Sequence, residues 1–156
     1  MQTRILICDD SAMARKQMAR ALPQDWNTEL QYAGNGQEAI DVVREGQADL
    51  LLLDLNMPGM DGYQVLEVSR KEDLPVMTLV VSGDIQPEAR KRVKALGAID
   101  FLKKPVSPSE LADLLEQFGL YQPDLSAPQP DNKGASEIGP FSVGLADFLQ
   151  EVSNVA

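Results

Sequence analysis

Leu50 to Gly62 reads Leu-Leu-Leu-Leu-Asp-Leu-Asn-Met-Pro-Gly-Met-Asp-Gly, and this stretch decides the fold. Four consecutive leucines are too few for a buried helix, and the pair Pro58-Gly59 soon follows, so the run predicts a central strand covered on both faces. Asp54 comes directly after the strand, and Asp61 is suited to cap the helix that follows. A carboxylate is thereby predicted at the mouth of a sheet, although a single aspartate there is by itself an ordinary solvated acid.

The rest of the chain up to residue 118 alternates in the same way between short apolar runs and helical patterns. The other predicted strands are Ile5 to Cys8, a weaker strand near an edge at Glu29 to Ala33, Val76 to Val81, and Ile99 to Leu102. Five strands alternating with five helices require right-handed crossovers, because each strand must return parallel to the last. The sequence therefore predicts an α/β domain over residues 1–118, a doubly wound five-stranded parallel sheet with five flanking helices.

Composition excludes several classes of function. The 24 acidic and 14 basic residues give a net charge of −10, which argues against nucleic acid or an anionic membrane as a partner. The sequence has no histidine, so imidazole-ligated zinc, serine–histidine catalysis and a phosphohistidine carried by this chain are ruled out. The single Cys8 cannot form an internal disulfide, and the apolar run before it is far too short for a signal peptide or membrane span. We expect a soluble cytoplasmic protein.

Polar residues follow four of the predicted strands. Because ligands of such sheets bind at the carboxyl ends of the strands, these residues are expected to meet at one edge; they are Asp9, Asp10, Asp54, Ser82 and Lys104. Neighbouring carboxylates repel each other by several kcal/mol, so a cation is needed among them, and hard oxygen ligands suit Mg²⁺. Such a site can bring a phosphoryl group onto Asp54, with Gly83 keeping the approach open. Taken singly, Asp54 and Lys104 are more simply solvated surface groups and Ser82 a residue of the turn that ends a strand, and only their convergence favours a site.

These motifs resemble the receiver domains of two-component response regulators, the family of the chemotaxis protein CheY. The resemblance covers residues 4 to 118, and its motifs lie at Asp9-Asp10, Leu53 to Gly62, Ser82-Gly83 and Phe101 to Pro105. It implies the flavodoxin-like strand order 2-1-3-4-5. It also implies a function: a phosphoacceptor regulator in a phosphorelay of the chemotaxis type, phosphorylated by a sensor histidine kinase that resembles CheA, and not an enzyme beyond its own dephosphorylation.

The resemblance also assigns roles at the metal site. Asp54 is the implied phosphoacceptor. Asp10, Asp54 and the carbonyl of Asn56 are implied to bind Mg²⁺ directly, with Asp9 binding through water and Mn²⁺ able to substitute.

Further roles concern a conformational switch. Lys104 is implied to pair with the phosphoryl group, and its bond to Pro105 to be cis. Ser82 is implied to move toward the phosphoryl oxygen while Phe101 rotates inward, which changes the face made by helix 4, strand 5 and helix 5. If two chains pair, we expect them to do so through this face or through the tail. The sequence does not identify a downstream target.

Beyond the domain, residues 119–140 are rich in proline and glycine and predict a linker. Residues 141–156 then show an amphipathic helical pattern. Within it, Glu151 and Asn154 resemble the opening motif of the CheC-type chemotaxis phosphatases. On that interpretation the chain is the start of a longer regulator–phosphatase fusion, and the simpler alternative is a terminal helix that rests on its own domain.

Two other functions remain open at this point. One is a metal-dependent phosphatase of the haloacid dehalogenase type, which also phosphorylates an aspartate, but that pattern has a second aspartate where this chain has Asn56 and places the nucleophile on the first strand. The other is a receiver-like binding module that is never phosphorylated.

Overall fold

The structure is a computed structural model that describes residues 2–83 and 86–123. The described residues form a domain around a five-stranded parallel sheet. The strands are β1 (Thr3–Cys8), β2 (Thr28–Ala33), β3 (Leu50–Leu53), β4 (Met77–Ser82) and β5 (Asp100–Lys103). Their order across the sheet is β2-β1-β3-β4-β5, and every neighbouring pair is parallel. Both the predicted fold class and the strand order are confirmed.

Five helices connect these strands. They are α1 (Ala12–Ala21), α2 (Gly36–Arg44), α3 (Gly62–Lys71), α4 (Pro87–Ala95) and α5 (Pro108–Gln117). Apolar residues of α1 and α5 pack on one face of the sheet, and those of α2, α3 and α4 pack on the other. Each helix therefore buries one stripe, as the spacing of its apolar residues predicts.

The leucine strand β3 lies in the middle of the sheet and contributes to both cores. Leu51 and Leu53 belong to the core beneath α2, α3 and α4, whereas Leu50 and Leu52 belong to the core beneath α1 and α5. All four are at most 1% exposed. Burying one leucine side chain contributes roughly 1.5–3 kcal/mol, so this strand, which has no polar residue before Asp54, holds the two layers together.

The loop after β3 requires glycine at two positions. Gly59 has a φ of +76°, in the left-handed region that other residues rarely adopt. Gly62 begins α3 so close to the end of β3 that a Cβ atom there would lie 2.5 Å from the carbonyl oxygen of Asp54 and 2.7 Å from Cα of Leu55. The predicted cap is present, because Asp61 and Gln64 exchange hydrogen bonds of 2.9 Å in a capping box. The loop is therefore short and tightly packed against the strand end that carries Asp54.

The structure shifts several predicted boundaries by one or two residues. β4 and β5 each begin and end one residue later than predicted, at Met77–Ser82 and Asp100–Lys103, and their backbone pairing continues where the apolar pattern has ended. The compact unit that contains the sheet runs to Gln122, since Tyr121 is only 7% exposed and its hydroxyl donates to Asp25 at 2.5 Å. The rest of the predicted linker, the tail helix, Glu151 and Asn154 lie outside the described residues. None of the helices in the described ranges is long and apolar enough to span a membrane.

Candidate functional site

Three aspartates from two neighbouring strand ends meet at the carboxyl edge of the sheet. One carboxylate oxygen each from Asp9, Asp10 and Asp54 lie within 4.8 Å of one another. Asp9 and Asp54 are 1% and 4% exposed, whereas Asp10 is open to solvent. The sheet order explains this meeting, because β1 and β3 are adjacent and end at the same level, with Cys8 opposite Leu53.

Lys104 supplies a positive charge to this cluster. Its Nζ donates to Oδ2 of Asp9 at 2.6 Å and to Oδ1 of Asp54 at 3.2 Å. Burial acts to lower the pKa of Lys104, but the hydrogen bond to Asp9 and the charge of Asp54 outweigh it, so the pKa is raised. The ammonium group therefore stays charged and links two strand ends that are 50 residues apart in sequence.

The carboxyl group of Asp54 is held in an unfavourable environment for its charge. Burial, followed by the neighbouring Asp9 carboxylate, raises its pKa, and the charge of Lys104 and the backbone of Asn56 offset this only in part. Burial raises the pKa of the adjacent Cys8 thiol to about 12, so that thiol is neutral and unreactive. Asp54 therefore carries a buried carboxylate at the end of the central strand, and a carboxylate can act as a nucleophile.

Asp9 is fixed at each of its polar groups. Besides accepting from Lys104, its carboxylate accepts the backbone N–H of Ser11 at 2.9 Å, and its carbonyl oxygen accepts Nη1 of Arg15 at 2.6 Å. Arg15 is not among the site residues predicted from the sequence. The only available signal is its position one turn inside α1, from which a long side chain reaches back to the residues before the helix.

Ser82 ends β4, the strand next to β3, and Gly83 follows it. Ser82 is fully buried, and its carbonyl oxygen accepts the backbone N–H of Lys104 at 2.9 Å, so the ends of β4 and β5 are joined next to the carboxylates. A Cβ atom at Gly83 would have no heavy atom within 4 Å, so packing alone does not require glycine there. The peptide bond between Lys104 and Pro105 is cis, the isomer that the resemblance implies.

Phe101 lies inside the protein rather than at its surface. The ring is 3% exposed and belongs to the core beneath α4, and the guanidinium carbon of Arg90 lies 5.1 Å from the ring centroid. The sequence predicts that Phe101 rotates inward on phosphorylation, but in this structure the ring is already buried. A cavity of about 310 Å³ adjoins the ring between α4, β5 and α5.

The donor set at the strand ends suits a hard divalent cation. Three carboxylates beside a single ammonium leave an excess of negative charge, and the solvent-exposed Asp10 leaves room for bound water. Mg²⁺ prefers oxygen ligands and retains several waters, so the residues present fit the ion that the fold family implies. Asn56 is exposed on the loop two residues after Asp54, within the same turn. These donors give no specific support to the expected substitution by Mn²⁺.

Comparison with known proteins agrees with this geometry. The family model of the response regulator receiver domain matches residues 5–116. A protein-glutamate methylesterase/protein-glutamine glutaminase from Syntrophomonas wolfei is 38% identical over 106 residues, which cover 65% of this chain and 30% of that protein. The probable C4-dicarboxylate response regulator DctR of Bacillus subtilis is 35% identical over 95 residues, covering 61% of this chain and 42% of that protein. The chain thus spans less than half the length of either relative.

A solved structure extends the similarity to three dimensions. The signal receiver domain of the response regulator NarL from Mycobacterium tuberculosis superimposes with a TM-score of 0.69 at 28% identity. The superposition covers 78% of this chain and 98% of that domain. Nearly the whole of a known receiver domain is therefore reproduced by the part of this chain that carries the carboxylate cluster.

Proposed function

Because this chain belongs to the response regulator receiver domain family, we propose that Asp54 is its phosphoacceptor and that a sensor histidine kinase phosphorylates it in a magnesium-dependent transfer. The observation that supports this most directly is the pairing of a buried Asp54 carboxylate with Lys104 at 3.2 Å inside a cluster of three aspartates. A buried acid whose pKa is raised and whose neighbours are charged is typical of a functional site.

The transfer requires one bond to form and one to break. An oxygen of the Asp54 carboxylate attacks the phosphorus atom of a phosphohistidine, and the P–N bond breaks with its electron pair remaining on the imidazole nitrogen. The ring leaves as neutral imidazole when its other nitrogen carries a proton. The product on this chain is an acyl phosphate, a mixed anhydride at Asp54. Catalysis of such transfers consists mainly of positioning and charge neutralisation.

The residues around Asp54 supply that positioning and neutralisation. Mg²⁺, held by Asp10 and Asp54 with the carbonyl of Asn56, and by Asp9 through water, would neutralise charge on the transferring group. Lys104 is placed to donate to a phosphoryl oxygen, since its ammonium already contacts the acceptor carboxylate. The hydroxyl of Ser82 and the open approach at Gly83 complete the surroundings on the β4 side.

We further propose that phosphorylation is transmitted through the face formed by α4, β5 and α5. Lys104 follows β5 directly, and Phe101 lies on the same strand under Arg90 of α4. If Lys104 shifts from Asp9 to a phosphoryl oxygen, β5 and the ring of Phe101 are the elements linked to it most directly. Such a change shifts the populations of two packings of this face.

The finer identity of the partners belongs to the same proposal. Receiver domains interact with histidine kinases or phosphotransfer proteins, and the resemblance to CheY favours a kinase of the CheA type. Pairing of two chains through the α4–β5–α5 face remains a prediction, as does a cytoplasmic location. A receiver domain is itself not catalytic, and the methylesterase relative is an enzyme more than three times the length of the matched part.

Neither alternative function is favoured. A haloacid dehalogenase phosphatase would place its nucleophile on the first strand, whereas Asp54 follows β3 at the centre of the sheet. The comparisons match the receiver domain of response regulators and give no separate support to a module that is never phosphorylated, and the labelling experiment below separates the two.

Incubation with acetyl phosphate and Mg²⁺ tests the proposal. Intact-mass measurement should show one added phosphoryl group per chain, which hydroxylamine removes and chelation of Mg²⁺ prevents. Asp54→Asn should abolish the labelling, and the matched variant Asp113→Asn, at an exposed position on α5, should retain it. Unchanged stoichiometry in Asp54→Asn would defeat the assignment, and steady hydrolysis of phosphate esters by the wild type would favour the phosphatase.

A further inference from the structure

We propose that Arg15 is a positioning residue for the magnesium site, acting through the backbone of Asp9. This inference rests on the proposed function, because it concerns the same carboxylates. It goes beyond that function because it assigns a role to a side chain that is not an implied ligand of Mg²⁺. The hydrogen bond of this side chain is to a backbone carbonyl and not to a carboxylate.

The geometry that points to Arg15 is a single short hydrogen bond. Its Nη1 donates to the carbonyl oxygen of Asp9 at 2.6 Å. β1 ends at Cys8 and α1 begins at Ala12, so this carbonyl belongs to the three-residue connection between them. A charged donor at this distance makes one of the stronger hydrogen bonds found in proteins.

That connection carries both acids contributed by β1. Asp9 points inward to Lys104, and Asp10 is exposed, yet their carboxylates must both stay within 4.8 Å of Asp54. Ser11 fixes one end of the connection through the carboxylate of Asp9. Arg15 fixes the peptide unit between the two acids, because the carbonyl of Asp9 and the N–H of Asp10 share one plane.

Arg15 therefore orients the peptide from which the Asp10 side chain projects. Metal sites depend on such supporting contacts, and losing one typically weakens metal affinity by roughly 10- to 100-fold. The simpler view treats Arg15 as a surface cation that happens to lie near an acidic cluster. The two views predict opposite signs, because removing a positive charge beside carboxylates should strengthen Mg²⁺ binding by electrostatics alone.

Isothermal calorimetry of Mg²⁺ binding to the full chain distinguishes them. Arg15→Met keeps the length of the side chain and removes the donor and the charge, and we expect the dissociation constant to rise roughly tenfold. Arg15→Lys keeps the charge and one donor and should restore part of the affinity. Arg20→Met removes the same charge from the exposed last turn of α1 and should leave the affinity within a factor of about two, since exposed charges at a distance are screened.

A kinetic measurement separates positioning from a general loss of structure. The Mg²⁺ concentration that gives half-maximal labelling by acetyl phosphate should rise in Arg15→Met in step with the dissociation constant, whereas the limiting rate should change less. Unchanged or tighter Mg²⁺ binding by Arg15→Met, or equal weakening in Arg20→Met, would overturn the inference. If Arg15→Met does not fold, Arg15→Lys decides, because we expect it to bind Mg²⁺ more weakly than the wild type, and wild-type affinity in that variant would show that the guanidinium group of Arg15 is not required.

The failure of this inference is distinguishable from the failure of the proposed function. If the wild type binds no Mg²⁺ and Asp54 is not labelled, the proposed function fails. If the wild type binds Mg²⁺ and is labelled at Asp54, but Arg15→Met binds Mg²⁺ equally well, only the role of Arg15 is refuted.

Discussion

Replacing Asp54 by asparagine should stabilise the metal-free protein while abolishing its phosphorylation. The Asp54 carboxylate lies within 4.8 Å of two other carboxylates and 3.2 Å from the Lys104 ammonium. At an effective dielectric constant of about 20, each repulsion is worth about 3.5 kcal/mol and the attraction about 5 kcal/mol. Neutralising Asp54 removes two repulsions and one attraction. After screening of the exposed Asp10 by solvent, we expect a net gain of about 1–2 kcal/mol.

The pH dependence of this gain has a definite sign. The pKa of Asp54 is raised by burial and then by Asp9, so the folded state binds this proton more readily than the unfolded chain. The contribution of the group to stability is therefore greatest below its unfolded pKa and is lost as the pH rises through the folded pKa. The gain in stability of Asp54→Asn over the metal-free wild type should accordingly be small in acid and reach its full value at neutral pH.

Urea unfolding followed by fluorescence of Trp26, which packs 5.6 Å from the ring of Tyr121, measures this difference. The midpoint of Asp54→Asn should lie roughly 1 M higher than that of the wild type in a chelating buffer. Saturating Mg²⁺ should then reduce the difference between the two midpoints, because a ligand stabilises the folded state that binds it and the folded wild type binds Mg²⁺ better than the variant does. An equal or lower midpoint for Asp54→Asn without Mg²⁺ would refute the reasoning.

Two controls make the result specific to the cluster. Asp113→Asn removes one charge from the same acidic protein at an exposed site and should shift the midpoint little. Lys104→Met removes the cation that pairs with two carboxylates and should lower the stability of the metal-free protein, since it leaves them without a partner. A rise of the midpoint in Asp113→Asn as large as that in Asp54→Asn would indicate a general effect of net charge, because both variants reduce the negative charge by one.

Three further perturbations test the architecture around the site. In urea unfolding, Gly62→Ala should destabilise the protein by about 2–3 kcal/mol because its Cβ atom would meet backbone. Gly83→Ala, whose Cβ atom would lie in open space, should leave the stability nearly unchanged. Equal losses of stability in the two variants would contradict the close packing at Gly62. Tyr121→Phe should lower the free energy of unfolding by about 1–2 kcal/mol, because it removes the hydrogen bond to Asp25. An unchanged stability would indicate that the compact unit ends before Tyr121. Asp49, whose pKa is lowered by its hydrogen bond to a neighbouring arginine, should stabilise above its unfolded pKa and lose that effect as the pH falls through its folded pKa. Asp49→Asn should therefore be less stable than the wild type by at most about 1 kcal/mol at pH 7 and equally stable in strong acid. A difference in the free energy of unfolding that does not change with pH would contradict this prediction.

Much of the fold follows from sequence because its signals are local. The four leucines of β3 indicate a strand covered on both faces, and Pro58-Gly59 and Asp61 mark the turn and the helix that follow. Placement of the acids at one edge needs only the rule that parallel strands end together. The exact ends of the strands are harder to predict from the sequence, because backbone pairing continues through polar residues such as Ser82 and Lys103.

Contacts that form only in the folded chain explain what the sequence did not reveal. The need for Gly62 arises from the approach of α3 to the backbone of Asp54, and Arg15 donates to a carbonyl six residues earlier. The packing of Tyr121 against the loop before β2 extends the compact unit beyond the expected end at residue 118. None of these contacts leaves a periodic or compositional trace, whereas the carboxylate cluster does.

The central claim, that Asp54 is the phosphoacceptor, is tested most directly by locating the phosphoryl group. After reaction with acetyl phosphate and Mg²⁺, borohydride reduction converts a phosphorylated aspartate to homoserine, which fragmentation of the peptide that contains Leu50–Leu53 can place by mass. We predict homoserine at position 54 and at no other aspartate. Homoserine at a different aspartate, or none in protein that has gained the mass of a phosphoryl group, would contradict it.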